Sequence, residues 1–434
     1  MYFEYFLIII LFILIIIIIK KKFIKYFLIG TIYLLAIVYS LEILTTLFLD
    51  NKDLSNYSLR TDKFKSQGFK DFRNNYEAFY EERQKFDIYP NFRLAEHHLN
   101  SQDKNNLIKN LLNKRETSGY KVPLRAPLNK LSLGDNEDGV RELVFNDIYG
   151  FANPNSVYKK KIDIMILGDS FAEGIPFDEN NNVSGIIRNL SNYNAINLGV
   201  SGSGPLLSLA ALKEYGNHLK PKKIFYFFYE RNDFYDMMAE KDTFLIKYLK
   251  NFNQDLFNSK NEINLFMKEY NSIFELILAD KISNNKKVVS NNSDQKQKKF
   301  SETISDFFEL RNTKKIFLTS PLFSKTKIDY NLFEKILEQM SMEAKNFKAD
   351  LYFVYIPSWS RYNNKYSLMN YFFKKKVLSY VNRVNIPIID IDEYIKFEKI
   401  KNPTSLYNFS LPGHFNNKGY TLISKKIINE LEKN

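Results

Sequence analysis

Four short stretches of the chain carry residue types that could do acyl chemistry. The first is Gly168-Asp169-Ser170-Phe171, with Glu173-Gly174 next. It closes an apolar run, Ile162 to Leu167, so Ser170 falls on a strand-to-helix turn. There its Oγ can point into a cleft, and its own N–H is free because the first N–H groups of a helix lack intrahelical partners. A helix-capping serine or an anion-binding turn would use the same residues. The second stretch, Asn197-Leu-Gly199-Val-Ser201-Gly202-Ser203-Gly204-Pro205, is a glycine-rich turn whose backbone N–H groups can face an oxyanion. It is not G-x-G-x-x-G and lacks the acidic residue after a next strand, which argues against a dinucleotide site. The third, Tyr229-Glu230-Arg231-Asn232-Asp233, ends another apolar run. An asparagine there can donate a side-chain N–H to a developing oxyanion, a donor whose loss costs about 3–4 kcal/mol in the transition state. A turn asparagine is the plain alternative.

The fourth stretch is Leu411-Pro-Gly413-His414-Phe-Asn416-Asn-Lys-Gly419-Tyr420. The chain has 4 histidines. His97 and His98 are adjacent in a polar region, and His218 lies in a charged helical stretch. His414 alone sits in a loop between a strand and the last helix, with glycines close on both sides. No group of His or carboxylate residues has metal-ligand spacing, so neither a metal nor a cofactor is expected.

The elements that must position these residues are readable from hydrophobic pattern. Short apolar runs recur at Ile162–Leu167, Ala195–Leu198, Ile224–Tyr229, Leu351–Ile356 and Ile386–Ile391, separated by longer helical stretches. Continuous apolar runs alternating with helices predict a parallel sheet covered on both faces. The fold class is therefore α/β, doubly wound, three layers around a sheet of about five strands. There are 15 glycines, none between Gly216 and Gly413, and several of the others cluster at the ends of the first two core strands. Ligands of open parallel sheets bind beyond the carboxyl ends of the strands, so the glycines mark that edge before any motif does. A further strand and turn are expected at 141–152. The segment Ser283 to Lys299, rich in Asn, Lys, Ser and Gln, reads as a mobile surface loop.

Taken together, in this order, the four stretches resemble the blocks of the SGNH hydrolase superfamily, the GDSL-like lipases and esterases. Gly168-Asp169-Ser170 resembles the first block, Gly202 the second, Asn232 the third and His414 the fifth. The phrase Asn197 to Pro205, with Leu212-Lys-Glu-Tyr215 and Tyr229 to Asp233, is similar to a membrane-anchored bacterial group of that superfamily. The resemblance covers roughly residues 140–434. It implies Ser170 as nucleophile, His414 as its base, and the N–H groups of Ser170 and Gly202 with the Asn232 side chain as oxyanion donors. It also implies an Asp three residues before the histidine, where this chain has Leu411. Asp390 and Asp392, at the end of the fifth run, are the substitutes that sequence position suggests. Pro357-Ser-Trp359-Ser-Arg361-Tyr362 holds the only Trp, and Trp359 and Arg361 at a cleft rim could stack on or bind a sugar, with packing the alternative for Trp359.

The N-terminal end is strongly apolar. Tyr2 to Ile19 and Phe27 to Leu49 flank Lys20, Lys21, Lys22 and Lys25. About 20 helical residues span a bilayer core of about 30 Å, so two transmembrane helices are expected over 1–49, with a peripheral helical layer over 50–140 and the hydrolase-like domain over 141–434. The basic turn places 50–434 on the extracytoplasmic, periplasmic side of the inner membrane. Lys+Arg number 62 against 49 Asp+Glu, a net charge of +13, which could attract anionic polysaccharide, lipid headgroups or nucleic acid, or could reflect plain compositional drift toward Lys and Asn. No nucleic-acid module is present in the pattern. With no cysteine, disulfides and thiolate chemistry are excluded. The sequence thus points to a membrane-anchored serine ester hydrolase acting on an O-acylated glycan or lipid. An O-acetyl transferase working with polysaccharide-modification partners, or a non-catalytic glycan-binding relative, fits the same residues.

Overall fold

The computed structural model describes residues 22–48, 79, 82–83, 85–95, 106–135, 137–138, 142–288, 328–362 and 367–433. The chain divides into two units, 1–59 with 288–327 and 60–287 with 328–434. In the first unit the second apolar run forms helix α1, Lys22–Phe48, with Tyr26, Phe27, Tyr33, Leu34 and Ile37 exposed. Among the described residues no helix is long and apolar enough to cross a membrane. The first apolar run lies outside them, as do His97 and His98.

The second unit carries all four chemical stretches. Its first strands are β1 (Ile88–Tyr89), β2 (Phe92–Arg93), β3 (Arg125–Ala126), β4 (Lys130–Leu133) and β5 (Leu143–Asn146). β4 and β5 form an antiparallel hairpin with Leu133 opposite Leu143, and β1 adds in parallel to β4. β2 pairs with β3. The boundary expected at 140/141 therefore falls inside a hairpin. The strand expected at 141–145 pairs backward into the supposed peripheral layer, because its partner strand precedes it by a single turn.

The five apolar runs become β6 (Ile164–Leu167), β7 (Ala195–Asn197), β8 (Lys223–Tyr229), β9 (Asp350–Ile356) and β10 (Ile388–Asp390). They form one sheet in the order β10-β9-β8-β6-β7, parallel throughout. Side chains alternate between its faces, as the period of a strand requires. Met165, Leu167, Tyr226, Phe228, Phe353 and Tyr355 enter one apolar cluster; Ile164, Ile166, Phe225, Phe227, Val354 and Ile356 enter the other. A fully buried Phe or Ile contributes roughly 1.5–3 kcal/mol over an exposed one, which explains why these runs read as unbroken apolar sequence.

The helices that matter for the site are α2 (Ser170–Glu173), α3 (Val183–Leu190), α4 (Pro205–Ala211), α5 (Asp233–Glu240), α6 (Lys260–Val288), α7 (Tyr330–Asn346), α8 (Ser367–Arg383), α9 (Ile391–Phe397) and α10 (Asn417–Glu432). α6 runs to Val288, so the first residues of the expected loop at 283–299 are helical, and the rest lies outside the described residues. The chain leaves β6 for β7 on one side and returns to β8 on the other. The end of β6 is thus the switch point where such sheets bind ligands.

Candidate active site

Ser170 opens α2 directly after β6. Gly168 makes that turn with φ +140°, and a Cβ there would come within 2.7 Å of the Phe227 carbonyl. Asp169 caps the helix by accepting the Phe171 N–H at 2.9 Å. Its own carboxyl is buried, which pushes it up to about 6, with the Phe171 N–H and nearby His414 pulling the other way. The Ser170 N–H, first in its helix, has no partner among the described residues.

His414 reaches this serine from the far end of the chain. Its Nε2 lies 2.7 Å from Ser170 Oγ. The loop that carries it is pinned on both sides. Asn416 caps α10 through the Gly419 N–H and donates to the carbonyls of Ser405 and Tyr407. The Asn408 N–H donates to the His414 carbonyl. Gly419 has no room for a side chain, since a Cβ would meet the Leu406 carbonyl at 2.6 Å. Phe171 lies against the imidazole, ring centres 4.9 Å apart.

The acid behind His414 is Glu137. Its Oε2 lies 2.9 Å from His414 Nδ1 and also accepts the His414 backbone N–H at 2.9 Å. Glu137 sits in the turn of the β4–β5 hairpin, in the region expected to be peripheral. Asp390 and Asp392 do not serve. Both bind Lys374 Nζ at 2.7 Å, Asp390 caps α9, and Asp392 also meets Lys396. Burial would lower the imidazole pKa, but the charge and hydrogen bond of Glu137, with Asp135 and Asp169 behind, hold it above the ordinary 6.5.

Gly202 and Asn232 stand at the ends of the two strands flanking β6. Gly202 has φ +74°, a left-handed position that suits glycine. The turn is held by Ser201 N–H donating to Glu173 at 2.7 Å and by Ser203 Oγ donating to the Gly168 carbonyl at 3.0 Å. The Gly202 N–H has no partner among the described residues. Asn232 precedes α5, and its Nδ2 donates to Asp236 at 2.7 Å.

Glu173 is a further positioning group that the sequence pattern did not single out. It is buried between Arg93 and Arg125, at 2.9 and 3.0 Å, and so ties β2 and β3 to the serine helix and the Gly202 turn. Burial alone would raise its pKa, but the two guanidiniums and the Ser201 N–H bring it down to about 2.

Trp359 and Arg361 do not present free donors to a sugar. Arg361 spends its guanidinium on Glu230 and the Tyr355 hydroxyl, and its side chain is only 9% exposed. Trp359 donates its indole N–H to the Ser410 carbonyl at 3.0 Å, bracing the loop of His414. His218 stacks on Phe257 away from this chemistry, ring centres 4.3 Å apart. Among the described residues no group of His, Cys, Asp or Glu could hold a metal ion.

A serine, the imidazole that can take its proton, and a carboxylate on the other ring nitrogen make a relay for nucleophilic attack on a carbonyl. The chain is similar in fold to solved structures. No family model matches it, and no curated protein does. Solved structures do. A protein assigned to the lipolytic G-D-S-L family from Desulfitobacterium hafniense DCB-2 is 11% identical with a TM-score of 0.34, covering 61% of this chain and 97% of its own. A member of the lipolytic G-D-S-L family from Veillonella parvula DSM 2008 is 12% identical with a TM-score of 0.32, covering 62% and 97%. The psychrotrophic esterase EstA from a Pseudoalteromonas species, in a structure inhibited by monoethylphosphonate, is 11% identical with a TM-score of 0.31, covering 62% and 97%. At such scores the likeness decides nothing about the site; the positions of Ser170, His414 and Glu137 do.

Proposed function

We propose that this chain is an SGNH-type serine ester hydrolase that works through an acyl-enzyme on Ser170. The observation that carries the reading is the continuous relay from Ser170 Oγ through His414 to Glu137. Ser170 Oγ attacks the ester carbonyl while His414 Nε2 takes its proton. The tetrahedral oxyanion is held by the N–H groups of Ser170 and Gly202 and the Asn232 amide. His414 returns the proton to the departing alkoxide, leaving the acyl group on Ser170. It then takes a proton from water, whose oxygen attacks the acyl carbon, and gives that proton to Ser170 Oγ as the acyl–Oγ bond breaks and the acid leaves. Glu137 keeps the imidazole turned toward Ser170 and stabilises it when charged.

The proposed substrate is an O-acylated glycan or lipid at a membrane surface. The apolar run at 2–19 supports it, since its length and composition suit an anchor for an extracytoplasmic domain. The acyl-enzyme could pass its acyl group to a sugar hydroxyl instead of water, so one assay covers both acceptors. The chain is incubated with p-nitrophenyl acetate, with and without a saturating glycan acceptor. Hydrolysis that releases free acetate and vanishes in Ser170→Ala supports the esterase. Acetate found on the glycan makes it a transferase, and turnover undiminished in Ser170→Ala overturns the reading.

A further inference from the structure

Helix α5 follows Asn232 and carries three carboxylates, Asp233, Asp236 and Glu240, of which the last two, one turn apart, brace the site. Each holds a different turn of the site. Glu240 accepts the N–H groups of Gly204, Leu206 and Leu207 at 2.6, 3.0 and 3.3 Å, closing the N-terminus of α4 beside the Gly202 turn. The backbones are in contact there, since a Cβ on Gly204 would come within 2.5 Å of the Met237 nitrogen. Asp236 holds Asn232. Its Oδ2 accepts from Asn232 Nδ2 at 2.7 Å, and its N–H donates to the Asn232 carbonyl at 2.9 Å. Asp236 is only 6% exposed, so water does not compete freely for that contact.

The shape of an amide gives this contact its consequence. The two hydrogens of the NH2 group lie in one plane, so an acceptor on one fixes the direction of the other. Asn232 Oδ1 is buried without a partner among the described residues, so no contact on the carbonyl side does the same work. The amide's other N–H hydrogen-bonds to the carboxyl of Asp169, which places it beside the Ser170 turn. We propose that Asp236 is a positioning residue that holds the second Asn232 N–H, which meets the Asp169 carboxyl in the free enzyme, toward the Ser170 turn where the oxyanion forms. The inference rests on the serine esterase reading above. Burial, reinforced by the charge of Asp169, pushes Asp236 up to about 8. A neutral carboxyl keeps its carbonyl oxygen as acceptor, so the contact survives protonation.

The test is steady-state hydrolysis of p-nitrophenyl acetate by the full chain. Asn232→Ala is expected to lower kcat by about 10²–10³-fold. Asp236→Leu, which keeps the branching and heavy-atom count and removes the acceptor, should lower kcat at least about tenfold with KM unchanged, as expected when a transition-state donor is misaimed. Asp236→Asn, which keeps an acceptor oxygen, should recover most of that loss. The double variant Asn232→Ala/Asp236→Leu should be no slower than Asn232→Ala, because Asp236 acts only through Asn232. Melting temperatures report folding, and Asp236→Ala replaces Asp236→Leu if the latter does not fold. Losses that multiply in the double variant, or Asp236→Asn as slow as Asp236→Leu, would overturn the positioning role while leaving the esterase intact. An Asn232→Ala enzyme with undiminished kcat would remove Asn232 from the oxyanion site, and the positioning role with it.

Discussion

Glu137 lies 277 residues before His414 in the chain and 2.9 Å from its Nδ1 in space. That contact closes the relay behind Ser170 with an acid from a different sheet, in place of the Asp that Leu411 displaces. It also makes the β4–β5 hairpin part of the site.

Glu137→Gln tests the contact first. The amide keeps the shape but can present the wrong atom to Nδ1 and cannot stabilise the imidazolium. We expect kcat to fall by up to about 10⁴-fold, the loss seen when a triad acid is replaced by its amide, with KM for a small ester nearly unchanged.

The pH profile gives a second test. His414 must be neutral to take the Ser170 proton, and its pKa is held above 6.5. The acidic limb of kcat/KM should therefore have its midpoint above pH 6.5, activity rising with pH through it. In Glu137→Gln the charge is gone and burial dominates, so the midpoint should move down. The same sign governs stability. A raised His pKa contributes stability that is full below the unfolded value and lost as pH rises through the folded one.

Glu173 predicts acid sensitivity of the opposite kind. Its pKa is brought down to about 2 from an ordinary 4.5. The stability from this depressed carboxylate is present above about pH 4.5 and is lost as pH falls toward 2, an amount on the order of 3 kcal/mol. Glu173→Gln should lower the melting temperature at pH 7 and flatten its fall below pH 4.5. It should also slow hydrolysis, because Ser201, beside Gly202, loses its anchor.

Asp390→Asn and Asp392→Asn separate the two accounts of the acid. Both carboxylates bind Lys374, so each change should alter melting temperature while kcat stays within about threefold, as for changes outside the reacting groups. A loss as large as that of Glu137→Gln would place the acid at the β10–α9 junction after all.

The sheet was legible because it is covered on both faces. Residues such as Ile164, Met165, Ile166 and Leu167 are all buried, so β6 reads as an unbroken apolar run. Ser170, Gly202 and Asn232 were legible because each follows such a run directly, and His414 because Gly413 and Gly419 surround it. Glu137 was not. An acid that meets its histidine across 277 residues leaves no spacing to read, and Leu133-Gly-Asp-Asn-Glu-Asp-Gly139 looks like any polar hairpin turn. The pairing of β4 with β5, which sets that turn against His414, is set by two four-residue strands too short to carry a strong periodic signal. Arg361 misled for a related reason. Its partner Glu230 lies 131 residues away, so a buried ion pair looked like an exposed sugar contact.

Labelling with a serine-directed fluorophosphonate, followed by peptide mass analysis, addresses the relay most directly. The wild-type chain should carry one adduct, on Ser170 within the tryptic peptide 162–188. Labelling should be absent in Ser170→Ala and slowed at least about 10²-fold in Glu137→Gln. An unlabelled wild type, an adduct elsewhere in the chain, or labelling unaffected by Ser170→Ala would contradict a nucleophilic Ser170 and the relay built behind it.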